Sequence, residues 1–459
     1  MANVTKSTRT ASINPLKSSA PLGAAFAYLG VEGAVPLFHG AQGCTAFALV
    51  LAVRHFKEAI PLQTTALDEV ATILGGMDNL EAALVTLKTR MKPKFIGIAS
   101  TALVEMRGED FQGELRVIKQ RKAAELAGTS IVFASTPDFN GAIEEGWASA
   151  VKAIIEGLVE GPLPRLHNRV NILPGVHQTP AELDELRSYC DMFGLSVRFV
   201  PDISSSLDGH TPEEYIGTSL GGARLADIAR LGEAAHTIAI GEHMRAAAVA
   251  LEERTGVPYT LLPTVYGLEG SDALVRTLTQ VSGVQAPHAL RRQRSQLIDG
   301  LLDGHFWFSG KRIAIASDPD LLYGLCQVLT SVGAKIVSAV SSTGSSAILS
   351  QIPVETVVVS DLTELEDAAA RTHADLLVTH SHGRMASERL GIPLFRVGFP
   401  IFDRLGAQDR CWVGYRGTRQ LVFEVANLFQ SQLHAHKPED FARAESAEAS
   451  GATHEHRHA

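Results

Sequence analysis

Three observations predict an α/β fold built of three doubly wound, Rossmann-like domains. The chain has 459 residues, enough for about three domains at roughly 150 residues each. Short β-branched and apolar runs recur along it, most of them followed by a Gly/Ser/Asp-rich turn and a longer helical pattern. Most of these runs lack period-2 alternation, as expected of parallel strands buried on both faces by crossover helices.

In chain order the predicted strands are 95–99, 130–134, 169–173, 196–200, 237–240, 312–316, 335–340, 356–359, 375–378 and 394–397. Breaks are expected at 160–168, which holds Gly161, Pro162 and Pro164, and in the charged helical stretch 290–305. The expected domains are therefore 1–165, 166–300 and 301–435. A His-rich tail, 436–459, should be solvated and disordered, since Ala, Glu and Ser fill much of it.

Composition narrows the function. Hydrophobic residues make up 45% and charged residues 20% of the chain, so it can bury several cores and lies far from the disordered class. The net charge of -9 offers no broad cationic surface, which excludes nucleic acid and anionic membrane as expected partners. The best apolar run, 45–53, stops at Arg54, far short of the roughly 20 residues a membrane helix needs. Residues 1–31 carry Lys6, Arg9 and Lys17, yet Pro21, Gly23 and Gly30 break their apolar stretch and no A-x-A-like cleavage site follows. They read as part of the folded protein rather than a leader. Four cysteines, at 44, 190, 326 and 411, show no C-x-x-C and no tight spacing. A disulfide framework or self-contained zinc site is not expected, and the expected compartment is a reducing cytoplasm.

In open α/β sheets ligands sit beyond the carboxyl ends of the strands, so chemistry is sought in the turns. The turns at 136–141, 208–210, 317–320 and 379–383 carry capable side chains, but no G-x-G-x-x-G, P-loop or H-E-x-x-H is present. Asp318 and Asp320 are expected to cap a helix. His380 and His382 are expected to be structural, because spacing alone does not make a metal pair. Cys190, Cys326 and Cys411 have apolar or aromatic neighbours and read as structural thiols.

Cys44 differs, because the segment Phe38-His-Gly-Ala-Gln-Gly-Cys44 sets it between a glycine-bearing turn and a helix. Gly40 and Gly43 permit close backbone approach or positive φ, and a helix N-terminus favours the thiolate that binds iron or attacks electrophiles. Residue chemistry alone leaves two readings open, a primed thiol or a buried structural one. As a nucleophile it would need a base such as His39 or His55. As an iron ligand it would be one of the four thiolates a cubane usually takes, so the others would come from a partner chain.

The stretches Ile13-Asn-Pro-Leu-Lys-Ser-Ser-Ala-Pro-Leu-Gly-Ala24, Pro36-Leu-Phe-His-Gly-Ala-Gln-Gly-Cys44 and Arg54-His-Phe-Lys-Glu58 resemble the amino-terminal region of nitrogenase component 1 β-type subunits. The resemblance continues through Thr136-Pro-Asp-Phe-Asn-Gly141, Ser206-Leu-Asp-Gly-His210, Ser317-Asp-Pro-Asp-Leu-Leu322, Arg396-Val-Gly-Phe-Pro400 and Gly414-Tyr-Arg-Gly417, spanning nearly the whole chain. Catalytic β subunits of this family give three cysteines to the eight-iron P-cluster. Here the first position reads Ser19, the third falls at Ala102, and Cys44 alone remains.

The resemblance therefore implies the biosynthetic, β-like branch of the family, a scaffold for the iron-molybdenum cofactor rather than a turnover enzyme. It implies an α2β2 tetramer with a NifE-like subunit, and a [4Fe-4S] cluster shared at the interface. Cys44 would give one thiolate and Gly43 would allow close backbone approach. It further implies that the complex holds a cofactor precursor, mainly on the partner, and makes transient contacts with NifB, the nitrogenase Fe protein and apo nitrogenase. Two other readings stand beside it: a catalytic β subunit of a nitrogenase-like or protochlorophyllide-type reductase, and a metal-free small-molecule binding protein.

Overall fold

The computed structural model describes residues 1–7, 12–69, 71, 75–106, 108, 110–139 and 141–433. The expected His-rich tail lies outside the described residues. Fourteen strands are described: β1 Asn3–Lys6, β2 Ala34–His39, β3 Gln63–Thr64, β4 Phe95–Ser100, β5 Ser130–Ala134, β6 Leu166–Leu173, β7 Ser196–Phe199, β8 Ala234–Ile240, β9 Tyr259–Leu262, β10 Arg312–Ser317, β11 Lys335–Ser341, β12 Thr356–Val359, β13 Leu376–Thr379 and β14 Leu394–Arg396. They form three sheets, ordered β3-β2-β4-β5, β7-β6-β8-β9 and β1-β12-β11-β10-β13-β14. The strand pairings among the described residues are parallel.

Each order reverses direction once, between β2 and β4, between β6 and β8, and between β10 and β13. These are the switch points at which loops splay apart and open α/β sheets bind ligands. Two details differ from the expected domain limits. Strand β1 lies in the first expected domain but pairs with β12 of the third sheet. The expected boundary at residue 300 falls within the continuous helix His288–Phe308.

The first sheet is anchored by a helix that reads as apolar all round. Every residue of Ala20–Leu29 is buried, the pattern of a helix enclosed on all sides. Tyr28 donates its hydroxyl to the Ile98 carbonyl at 3.0 Å, satisfying a polar group that burial would otherwise penalise. Its ring occupies the space above Gly97, where a Cβ would lie 2.2 Å away. Helix Ile143–Leu158 crosses this helix through two glycines. A Cβ on Gly23 would meet the Ile143 carbonyl oxygen at 2.0 Å, and one on Gly146 would meet the Ala20 carbonyl oxygen at 1.8 Å. From the same helix Trp147, 1% exposed, donates its indole N–H to the Pro174 carbonyl at 2.9 Å and so ties the first sheet's layer to the end of β6.

A buried carboxylate at the junction makes the fold sensitive to pH. Glu182 accepts the Trp412 amide at 2.9 Å, the Thr179 amide at 3.2 Å and the Tyr266 hydroxyl at 3.1 Å. Burial nevertheless outweighs these bonds and pushes its carboxyl up from 4.5 to about 7. Because the folded value is raised, this group's stabilisation is complete below about 4.5 and is lost as pH rises through about 7. Between pH 4 and pH 8 the unfolding free energy of wild type relative to Glu182→Gln should fall by about 3 kcal/mol. Denaturant titrations of both proteins across that range check this, and a pH-independent difference counts against it.

Candidate functional site

Cys44 occupies the third position of helix Gln42–Phe56, whose N-cap, Ala41, makes no side-chain bond to the helix. The preceding strand β2 lies at the switch point of the first sheet. Gly40 is required by the turn, since its Cβ position is taken by the Thr101 side chain, 2.3 Å away. A Cβ on Gly43 would meet none of the described residues within 4 Å, so it leaves open space beside Cys44 rather than admitting a described neighbour. Cys44 is exposed, whereas Cys190 and Cys326 are buried. Burial pushes the Cys190 thiol up to about 12 and the Cys326 and Cys411 thiols higher still, as inert structural cysteines require.

Cys44 opens onto a cleft of about 260 Å³ whose walls include Ser19, Thr101, Asp138, His380 and His382. Ser19, the N-cap of helix Ala20–Leu29, makes no side-chain cap bond. Asp138 takes that role by accepting the Ala20 amide at 2.8 Å. Ala102 begins the short helix Ala102–Glu105 directly after Thr101. Thus Ser19, Cys44 and Thr101, the neighbour of Ala102, line one cleft, and of these residues Cys44 bears sulfur. On the same face of the Cys44 helix, three residues apart, Phe47 is 79% and Val50 54% exposed. Leu103 and Met106, which follow Thr101 of the cleft wall, are exposed as well.

The two candidate bases are engaged elsewhere. His39 shares a hydrogen bond between Nδ1 and Thr65 Oγ1 at 3.1 Å and packs on Phe111. His55 Nδ1 accepts the Ile401 amide at 2.9 Å, and burial drives its pKa down to about 3. Neither lines the Cys44 cleft, so a Cys–His nucleophile is unsupported. His380 and His382 both line the Cys44 cleft. His380 donates Nε2–H to the Leu16 carbonyl at 3.2 Å, its Nδ1 accepts the His382 amide at 3.3 Å, and burial lowers its pKa to about 3.

The expectation for Asp318 and Asp320 requires correction. Asp318 is the N-cap of helix Pro319–Ser331, but its side chain makes no capping bond and accepts instead from the Ser342 hydroxyl. Asp320 turns toward His243, accepting its amide at 3.0 Å and its ring Nδ1–H. Tertiary polar partners outcompete the local helix N–H groups here. Asp320 donates its amide to Glu144, which also accepts from His177, and its carboxylate meets His243; these partners lie far off in the chain, and no local spacing signals them.

Three parallel sheets, each with a switch point, define a three-sheet α/β protein whose exposed cysteine lies in the first turn of a helix that also exposes Phe47 and Val50. The chain belongs to the nitrogenase component 1 type oxidoreductase family, whose model matches residues 19–430. It is 56% identical over 440 residues to the nitrogenase iron-molybdenum cofactor biosynthesis protein NifN of Mesorhizobium japonicum, covering 96% of this chain and 95% of that protein. It is 38% identical to NifN of Klebsiella pneumoniae, covering 95% and 94%. The solved structure of nitrogenase Cp1 at pH 6.5 superposes with a TM-score of 0.89 at 28% identity, covering 95% of this chain and 97% of that one.

Proposed function

We propose that the chain is the β-like subunit of a scaffold on which the nitrogenase iron-molybdenum cofactor is matured, working in the cytoplasm as an α2β2 tetramer with a NifE-like partner. The observation that carries the reading is the single exposed thiol. A [4Fe-4S] cubane usually takes four thiolates, and the positions that would enlarge the set are Ser19 and Ala102. The residues fit a cluster held between chains. Cys44 is exposed, its cleft has room, and the Cβ side of Gly43 is open. Cys44 would supply one ligand and the partner three. Such a cluster would supply one-electron chemistry or a structural bridge between the two chains. The apolar stripe of Phe47 and Val50 would be covered by the partner, excluding water from the thiolate. The cofactor precursor, received from NifB, would rest mainly on the partner, with the Fe protein and apo nitrogenase as transient contacts.

Anaerobic co-expression with a NifE-like chain tests this. A tetramer with about four iron and four sulfide per αβ pair at the interface site supports it. An iron-free chain that stays folded and alone contradicts it. Because Ser19 faces the same cleft as Cys44, the double substitution Ser19→Cys and Ala102→Cys should raise iron above four per pair. Unchanged iron and redox spectra count against equivalence of these positions with the catalytic branch.

A further inference from the structure

We propose that a cavity between the layers of the three sheets binds a small monocarboxylate, its carboxyl group held by Arg410 and His55. The cavity holds about 60 Å³ and shares no lining residue with the Cys44 cleft. Phe26 and Trp147 reach it from the first sheet's layer, Ile203 from the second, and Leu321 and Phe399 from the third. A junction of domains walled by apolar side chains with a few polar groups is where small ligands ordinarily bind.

Most polar groups on the wall are already paired. His177 bonds Glu144, the Gln178 side-chain oxygen accepts the Gly175 amide, Thr179 donates to the Arg410 carbonyl, and Glu182 is held by two amides and the Tyr266 hydroxyl. The Arg410 guanidinium is the exception. Its Nη1 donates to the Arg396 carbonyl, but it forms no ion pair among the described residues. Glu424 acts on it only from a distance, its oxygens accepting from Trp412 and Gln420. Burial accordingly pulls the guanidinium below its ordinary range. A cation drawn out of water without a counter-charge is costly, and the planar fork of arginine matches an incoming carboxylate.

His55 supplies a second donor. Because Nδ1 accepts the Ile401 amide, the neutral ring carries its proton on Nε2, which has no partner among the described residues. After burial, the charge of Arg410 is the strongest influence keeping this ring neutral, so the two donors stand close together. Gln408 Oε1, buried without a partner, accepts from a water carried in with the anion. Phe56, Leu207 and Gln408 also line a wider neighbouring cavity of about 320 Å³, which gives the ligand a route inward. At roughly 10–15 Å³ per water-sized group, the inner space takes about four to six non-hydrogen atoms, the size of propionate.

The test titrates the full-length chain with sodium propionate by calorimetry while the emission of Trp147 and Trp412, both on the cavity wall, is followed. One propionate per chain should bind saturably. Propan-1-ol, which keeps the apolar body and lacks the charge, should bind at least about tenfold more weakly, and Arg410→Gln should weaken propionate by at least about tenfold. Citrate, too large for the space, should not compete. The comparison of propionate with propan-1-ol on wild type decides the matter even if the variant fails to fold. No saturable binding of propionate, equal binding of the alcohol, competition by citrate, or undiminished binding by folded Arg410→Gln overturns the proposal.

Discussion

Cys44→Ala is expected to strip the interface cluster, taking bound iron at that site from about four per αβ pair to none, with the fold intact. The two halves of this expectation have separate physical grounds. The side chain is exposed in the first turn of its helix, where a surface substitution ordinarily changes stability by less than about 0.5 kcal/mol, and alanine is the better helix former. The thiolate has no replacement, because Ser19 and the residue after Thr101, Ala102, carry no sulfur, and the other three cysteines are half-buried or buried. Iron and sulfide assays with EPR of the reduced complex measure the first half, and thermal unfolding measures the second. Retained iron with an unchanged spectrum removes Cys44 from the ligand set.

Gly146→Leu should have the largest effect on the fold. Its Cβ would fall 1.8 Å from the Ala20 carbonyl oxygen and 2.5 Å from that carbonyl carbon. The obstruction is backbone, so no rotamer change relieves it, and the helices Ala20–Leu29 and Ile143–Leu158 must separate. Overpacking of this kind costs typically 1–3 kcal/mol and here, against backbone, about 3 or more. The damage reaches function, because the displaced helix starts at the cleft with Ser19 as its N-cap. The variant should be strongly destabilised, and what folds should bind the partner poorly. Gly43→Ala is the control. With nothing within 4 Å of its Cβ position, it should leave the unfolding midpoint unchanged, and an equal loss in both variants contradicts the packing argument.

The ten strands predicted from apolar runs are all present, because buried parallel strands advertise themselves as unbroken β-branched segments. The strands that escaped prediction have particular reasons. In β2 the residue Pro36 disguises a central strand; it is tolerated because the β3 ladder begins only at Leu37. Strands β1, β3 and β9 are short and lie at sheet edges, so little apolar pattern is needed to specify them.

At the site, Cys44 was legible because its features are local, a glycine turn leading directly into a helix. The grouping of Glu144 with His243 and Asp320 was not. Asp320 lies 176 residues from Glu144 and 77 from His243, and only the convergence of three sheets brings them together. Asp318 and Asp320 carried a true capping pattern, but the deciding partners, Ser342 and His243, come from other turns.

On the proposed function, this chain and a NifE-like partner together mature the iron-molybdenum cofactor. The most direct measurement supplies the purified complex, loaded with precursor from NifB, with Fe protein, molybdate and homocitrate, and then adds apo nitrogenase. Substrate reduction by the reconstituted nitrogenase that depends on the complex is the predicted result. Apo nitrogenase that stays inactive, while the complex itself turns over a small substrate, would contradict the scaffold account and favour a catalytic reductase.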